Sequence, residues 1–103
     1  MSNYININGK ILPAKKALIS VQDRGFRFGD GAFETCLINN GLIYNWLAHK
    51  ARLEEGLKVI KINFDSKNFE QSGYQLIQKN KIKNGYLRIA VSRGVGSIGY
   101  LPI

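Results

Sequence analysis

Apolar and polar side chains alternate with period two through Tyr4-Ile5-Asn6-Ile7-Asn8, as they do in a half-buried strand. Asn8-Gly9 supplies a two-residue hairpin turn, and Ile11-Leu12 begins the return strand. Ala17 to Val21 is predicted as a further short strand, and Asp23 to Gly31, rich in glycine, aromatics and charge, as a shaped loop. Ala32 to Ile38 is a strand, Asn40-Gly41 a second hairpin turn, and Leu42 to Tyr44 its partner. At Asn45 the period changes. Trp46, Leu53, Leu57 and Ile60 recur at helical spacing, predicting a helix from Trp46 to Lys61 capped by Asn45, with Gly56 inside it. Asp65 or Ser66 caps a second helix that buries Phe69, Leu76 and Ile77 and frays near Asn80. Asn84-Gly85 is a turn, and Tyr86 to Ser92 is a β-rich apolar strand. Strands, two helices and a strand in that order predict an α+β fold, a mostly antiparallel sheet with both helices packed on one side.

A chain of 103 residues makes one domain at most. It contains no apolar run of about 18 residues, so no membrane-spanning helix is expected. Its first residues lack the basic-then-apolar pattern of a signal peptide, and the default compartment is the cytosol. The net charge of +8 raises the question of nucleic acid. The lysines are scattered, however, and the densest group, Lys79, Lys81 and Lys83, follows a predicted helix, where cations suit the dipole. A solvated surface accounts for them, and no nucleic-acid partner is expected.

The candidate chemistry is sparse. Cys36 is the single cysteine and reads as a buried, inert thiol; no Cys/His cluster suits a metal. Asp23, Asp30 and Glu34 have Arg24 and Arg27 among them, so charge pairing and turn capping suit them better than a metal. Gly94-Val95-Gly96-Ser97-Ile98-Gly99 spells a dinucleotide fingerprint. Only Tyr100 to Ile103 follow it, too few for the helix that would hold a pyrophosphate. His49 and Arg52, at i and i+3 on the first helix, share a face. They suit either a phosphate site, with Arg52 supplying a planar fork, or a surface histidine beside a snorkelling arginine.

Four segments carry a resemblance. DRGFRFGDGAFET (Asp23 to Thr35), NNGLIYNW (Asn39 to Trp46), HKARL (His49 to Leu53) and LRIAVSRGVGSIGY (Leu87 to Tyr100) stand in one order across the chain. Together they resemble the N-terminal domain of the class IV aminotransferases, the fold-type IV pyridoxal-phosphate enzymes. The Ser-Arg-Gly-x-Gly-x-x-Gly-Tyr ending looks most like the 4-amino-4-deoxychorismate lyases, with D-amino-acid and branched-chain aminotransferases close behind.

The resemblance implies the small domain of the D-amino-acid aminotransferase-like fold, with pyridoxal phosphate as cofactor. It implies that Arg52 grips the cofactor phosphate and that Phe33 and Thr35 line the substrate side. Tyr100 would lie in the loop that receives a substrate carboxylate. In a lyase the reaction releases pyruvate and 4-aminobenzoate; in a transaminase an amino group is transferred. Ile98 stands where the family often has a carboxylate-binding arginine, which bears on the substrate class. The family's Schiff-base lysine belongs to a C-terminal domain, and none of the ten lysines here occupies its place. Residues 1–103 are therefore expected to form a single small domain without the lysine-bearing one, inactive alone. The expected partners are a C-terminal domain or a second copy of the chain, as in a dimer. Arg88, on the strand before the glycine loop, is expected to stand apart from the cofactor.

Overall fold

The structure, a computed structural model, describes residues 3–95. The expectations for Ile98, for Tyr100 and for the later glycines of the fingerprint match lie outside them. Strands β1 (Tyr4–Ile7) and β2 (Lys10–Pro13) pair antiparallel, Ile5 opposite Leu12. Their turn is Asn8-Gly9, with φ of 55° and 88°; Asn40-Gly41 repeats it at 51° and 76°. Two successive positive φ values are what a tight hairpin demands, and Asn-Gly meets that demand at little steric cost.

The main sheet has the order β4-β3-β5, from β3 (Gly31–Asn39), β4 (Leu42–Ile43) and β5 (Gly85–Ser92), all antiparallel. Helix α2 (Trp46–Val59) and helix α3 (Phe69–Asn80) cover one face, as the α+β reading expects. Burial in β3 alternates strictly: Glu34, Cys36 and Ile38 point inward, while Phe33, Thr35 and Leu37 point to the open side. Cys36 and Ile38 meet Ile43, Trp46, Ile77 and Leu87, and a neighbouring cluster joins Leu53, Leu57 and Val91. Helix α3 sits close to the sheet because Gly73 lacks a side chain. A Cβ there would stand 2.9 Å from Leu87 Cδ2 and 3.2 Å from Ile43 Cδ1.

Several expectations are corrected. Ala17 to Val21 is not a strand. A 3-10 turn (Ala14–Lys16) precedes it, and Leu18, Ile19 and Val21 are 79%, 63% and 69% exposed. Apolar, β-prone residues do not make a strand without a ladder partner, and among the described residues none pairs with them. The expected loop contains a short helix, α1 (Arg24–Phe28). Asn45 precedes α2 in a left-handed conformation (φ 56°) and makes no side-chain cap. Asn68, not Asp65 or Ser66, borders α3. Ser66 instead donates its hydroxyl to Glu54 at 2.6 Å, tying the inter-helix loop to α2. The end of α3 is pinned: Asn80 Oδ1 accepts from Tyr4 N (2.7 Å), and Asn80 Nδ2 donates to Tyr4 O (3.0 Å).

Candidate functional site

The segment from Asp23 to Gly31 takes its shape from its own side chains. Asp23 Oδ1 accepts from Gly25 N (2.8 Å) and Phe26 N (3.3 Å), capping α1; its Oδ2 accepts from Ser92 Oγ at 2.9 Å. Gly29, at φ 66°, ends the helix. Asp30 Oδ2 then accepts from Arg24 Nε (2.9 Å) and from Arg93 Nε (2.7 Å). Arg93 also donates to the Ile60 carbonyl, so one carboxylate ties α1, the end of β5 and the end of α2 together. The two guanidinium bonds, Arg93 first, hold the Asp30 carboxyl below its ordinary value. Arg27 donates to Gln22 rather than to an acid. Asp23 and Asp30 thus serve in capping and charge pairing, as expected.

Glu34 finds partners the sequence reading did not assign to it. It lies on the inward face of β3, in phase with Cys36 and Ile38, beneath α2. Arg52 Nε donates to its Oε1 (2.7 Å) and Arg52 Nη2 to its Oε2 (2.9 Å), a bidentate pair. His49 Nδ1 reaches Oε2 at 2.6 Å. A carboxylate only accepts, so this contact requires the proton on Nδ1 and leaves Nε2 as the free ring nitrogen. The 3.4 Å approach of Arg52 Nη2 to the same Nδ1 is then donor against donor and is no hydrogen bond. Arg52 first, and His49 after it, hold the Glu34 carboxyl below its usual range against the opposing effect of burial. The same pairing raises the Arg52 guanidinium. An acid at an inward position of a half-buried strand is the signal that would have announced this cluster.

His49 and Arg52 do share a face, and the structure joins them through a third residue. His49 is no free surface histidine; its side chain is 16% exposed. The Arg52 side chain, by contrast, is 70% exposed although one edge of its guanidinium is committed. Its Nη1 group and the second Nη2 hydrogen remain as donors toward water. Three N–H groups on an exposed planar cation fit a phosphate group.

Phe33 and Thr35 flank Glu34 but lie on the opposite, open face of the sheet. Phe33 pairs across β5 with Ala90, Thr35 with Arg88, and Leu37 with Tyr86. The Arg88 guanidinium stacks on the Phe33 ring at 4.1 Å. Arg88 therefore belongs with the two candidate substrate-side residues and away from the Glu34 cluster. Cys36 is fully buried, and burial pushes its thiol above the ordinary 9.0, as an inert core residue requires.

Comparison with known proteins adds independent findings. The amino-transferase class IV family matches residues 31–102. The chain is similar to the 4-amino-4-deoxychorismate lyase of Pseudomonas aeruginosa, with 37% identity and a TM-score of 0.72, covering 84% of this chain and 32% of that one. It is similar to the D-alanine aminotransferase of Bacillus licheniformis, 30% identical over 84% of this chain and 31% of the relative. Similarity to the branched-chain amino acid aminotransferase of Escherichia coli is one of fold: TM-score 0.88 at 20% identity, covering 100% of this chain and 37% of that one. The chain spans about a third of the length of the curated relatives it matches.

Proposed function

The chain belongs to the amino-transferase class IV family, and on that premise we propose that it is the small N-terminal domain of a pyridoxal-phosphate enzyme of 4-amino-4-deoxychorismate lyase type. The carrying observation is Arg52, whose exposed guanidinium keeps three donors free after its pairing with Glu34. When bound, pyridoxal phosphate supplies the electron sink that allows bonds at an amino acid's Cα to break. Arg52 holds its phosphate with the donors that Glu34 leaves over. Phe33 offers an apolar wall, Thr35 a hydroxyl, and Arg88 a cation suited to a substrate carboxylate, all on one exposed face. Tyr100 joins this set on its sequence position alone.

The lysine that carries the cofactor comes, in this reading, from a C-terminal domain, since the relatives are about three times as long as the chain. Exposed apolar side chains on the open face, Phe33, Leu37 and Tyr86, suit a covering partner domain or a second copy. Alone, the chain is expected to be inactive and to stay colourless with pyridoxal phosphate. A D-amino-acid or branched-chain aminotransferase is the second reading, favoured by the 30% identity to a D-alanine aminotransferase.

The test joins this chain to a matching C-terminal domain and titrates pyridoxal phosphate into wild type, Arg52→Ala and Arg88→Ala. Charge-assisted bonds contribute about 1.5 to 3 kcal/mol, so Arg52→Ala should weaken binding about 10- to 150-fold. Arg52→Lys should recover only part, because a point charge lacks the fork. Arg88→Ala should leave cofactor affinity intact while impairing substrate use. Equal affinities throughout would refute the phosphate role. Pyruvate formed together with 4-aminobenzoate and without an added 2-oxo acid marks the lyase; turnover that requires and consumes a 2-oxo acid marks the aminotransferase.

A further inference from the structure

We propose that Glu34 is a positioning residue for Arg52: by occupying the Nε–Nη2 edge it confines anion binding to the Nη1–Nη2 edge and fixes where that edge points. The inference rests on the phosphate reading of Arg52 and adds a residue that never touches the ligand. Arg52 rises from α2, whereas Glu34 is anchored inward on β3, so the bond joins helix to sheet. Both carboxylate oxygens are engaged, Oε1 by Arg52 Nε and Oε2 by Arg52 Nη2. A bidentate pair makes the guanidinium and carboxylate planes share one orientation. His49 Nδ1 holds Oε2 from the side at 2.6 Å, so the acid itself cannot rotate freely. A 70% exposed arginine would otherwise sample many rotamers.

Charge and orientation predict opposite outcomes when Glu34 is neutralised. Glu34→Gln removes a negative charge beside the anion site, so charge alone predicts tighter phosphate binding. It also releases Arg52. Immobilising a rotamer-rich side chain costs about 0.5 to 1.5 kcal/mol, so orientation predicts binding weaker by about 2- to 13-fold. Salt diminishes the first effect and leaves the second, most at about 1 M, where the Debye length falls to about 3 Å. Orientation should therefore win at about 1 M salt.

The experiment uses the full chain and inorganic phosphate, followed by NMR of the arginine side-chain Nε–H groups. In wild type the Arg52 Nε–H should exchange slowly with water and shift downfield, a sign of its bond to Glu34. Phosphate should shift the Arg52 resonances with a measurable Kd, and Arg52→Ala should abolish that site. Glu34→Gln should collapse the slow exchange and weaken phosphate by the stated factor. Glu34→Gln together with Arg52→Ala should bind no worse than Arg52→Ala alone, because the acid acts through the arginine. If Arg52→Ala binds phosphate as wild type does, the phosphate reading falls and this inference with it. If Arg52→Ala loses the site but Glu34→Gln binds as well or better, only the positioning role is overturned. An Arg52 Nε–H exchanging as fast as that of free arginine overturns it in wild type, whatever the variants do.

Discussion

Asp30 and Glu34 stand four residues apart in one segment, and each carboxylate accepts from two side chains, Arg24 and Arg93 on Asp30, Arg52 and His49 on Glu34. They differ in what their arginines can reach. The arginines on Asp30 have side chains 6% and 17% exposed, and Arg93 spends further donors on the end of α2. The arginine on Glu34 is 70% exposed and keeps one edge toward water. The same ion-pair chemistry therefore yields a closed clasp in one case and an anchored donor in the other. Exposure of the partner, more than the presence of a salt bridge, separates the two.

Substitution ranks the two. Asp30→Asn removes the negative charge that two largely buried guanidinium groups share and should destabilise the chain by about 3 kcal/mol or more. Glu34→Gln lets Arg52 return to solvent and should cost about 1 kcal/mol. Urea unfolding of both variants checks the order; a larger loss for Glu34→Gln would reverse the contrast drawn between them.

Acid sharpens the comparison. Both carboxyls titrate below their ordinary values of 3.8 and 4.5 in the folded chain. A depressed folded-state pKa means that the unfolded chain takes up protons first as pH falls. The stabilisation from these pairs is complete above the unfolded-state values and is lost as pH drops through the folded-state ones. Unfolding free energy should thus decline below about pH 4.5, and the decline should flatten in Asp30→Asn. An unchanged slope in that variant would mean that the Asp30 clasp contributes nothing to the acid response.

The smallest effect is expected at Arg88. Its contact with Phe33 lies on an exposed face, where a cation–π pair contributes about 0.5 to 1 kcal/mol. Thermal melting of Arg88→Ala should shift little. A large loss would mark the open face as part of what holds the sheet together.

Much of the architecture was legible along the chain. Both Asn-Gly turns fall where the left-handed backbone is needed, because Asn and Gly tolerate it best. Trp46, Leu53 and Leu57 are buried at the spacing that announced α2. Ala17 to Val21 misled because β propensity speaks only for a residue's fit to a pleated surface and says nothing about whether a neighbouring strand exists. The Asn45 and Asp65 caps misled for a related reason. A capping side chain competes with turn geometry and tertiary contacts, and here those prevailed.

What the sequence by itself determined is the order of the two hairpins, the two long helices and the last strand, and His49 and Arg52 on one helical face. Those features rest on periodicity and spacing, which are local. Only the tertiary structure decided which acid those two residues meet. Glu34 lies 15 residues before His49 and 18 before Arg52, and Asp30 lies 63 before Arg93. Such pairings depend on which strand face turns toward which helix. That choice is made by burying Cys36 and Ile38 with Trp46 in one cluster and Leu53 and Leu57 with Val91 in its neighbour, and the charges settle where the packed core leaves them.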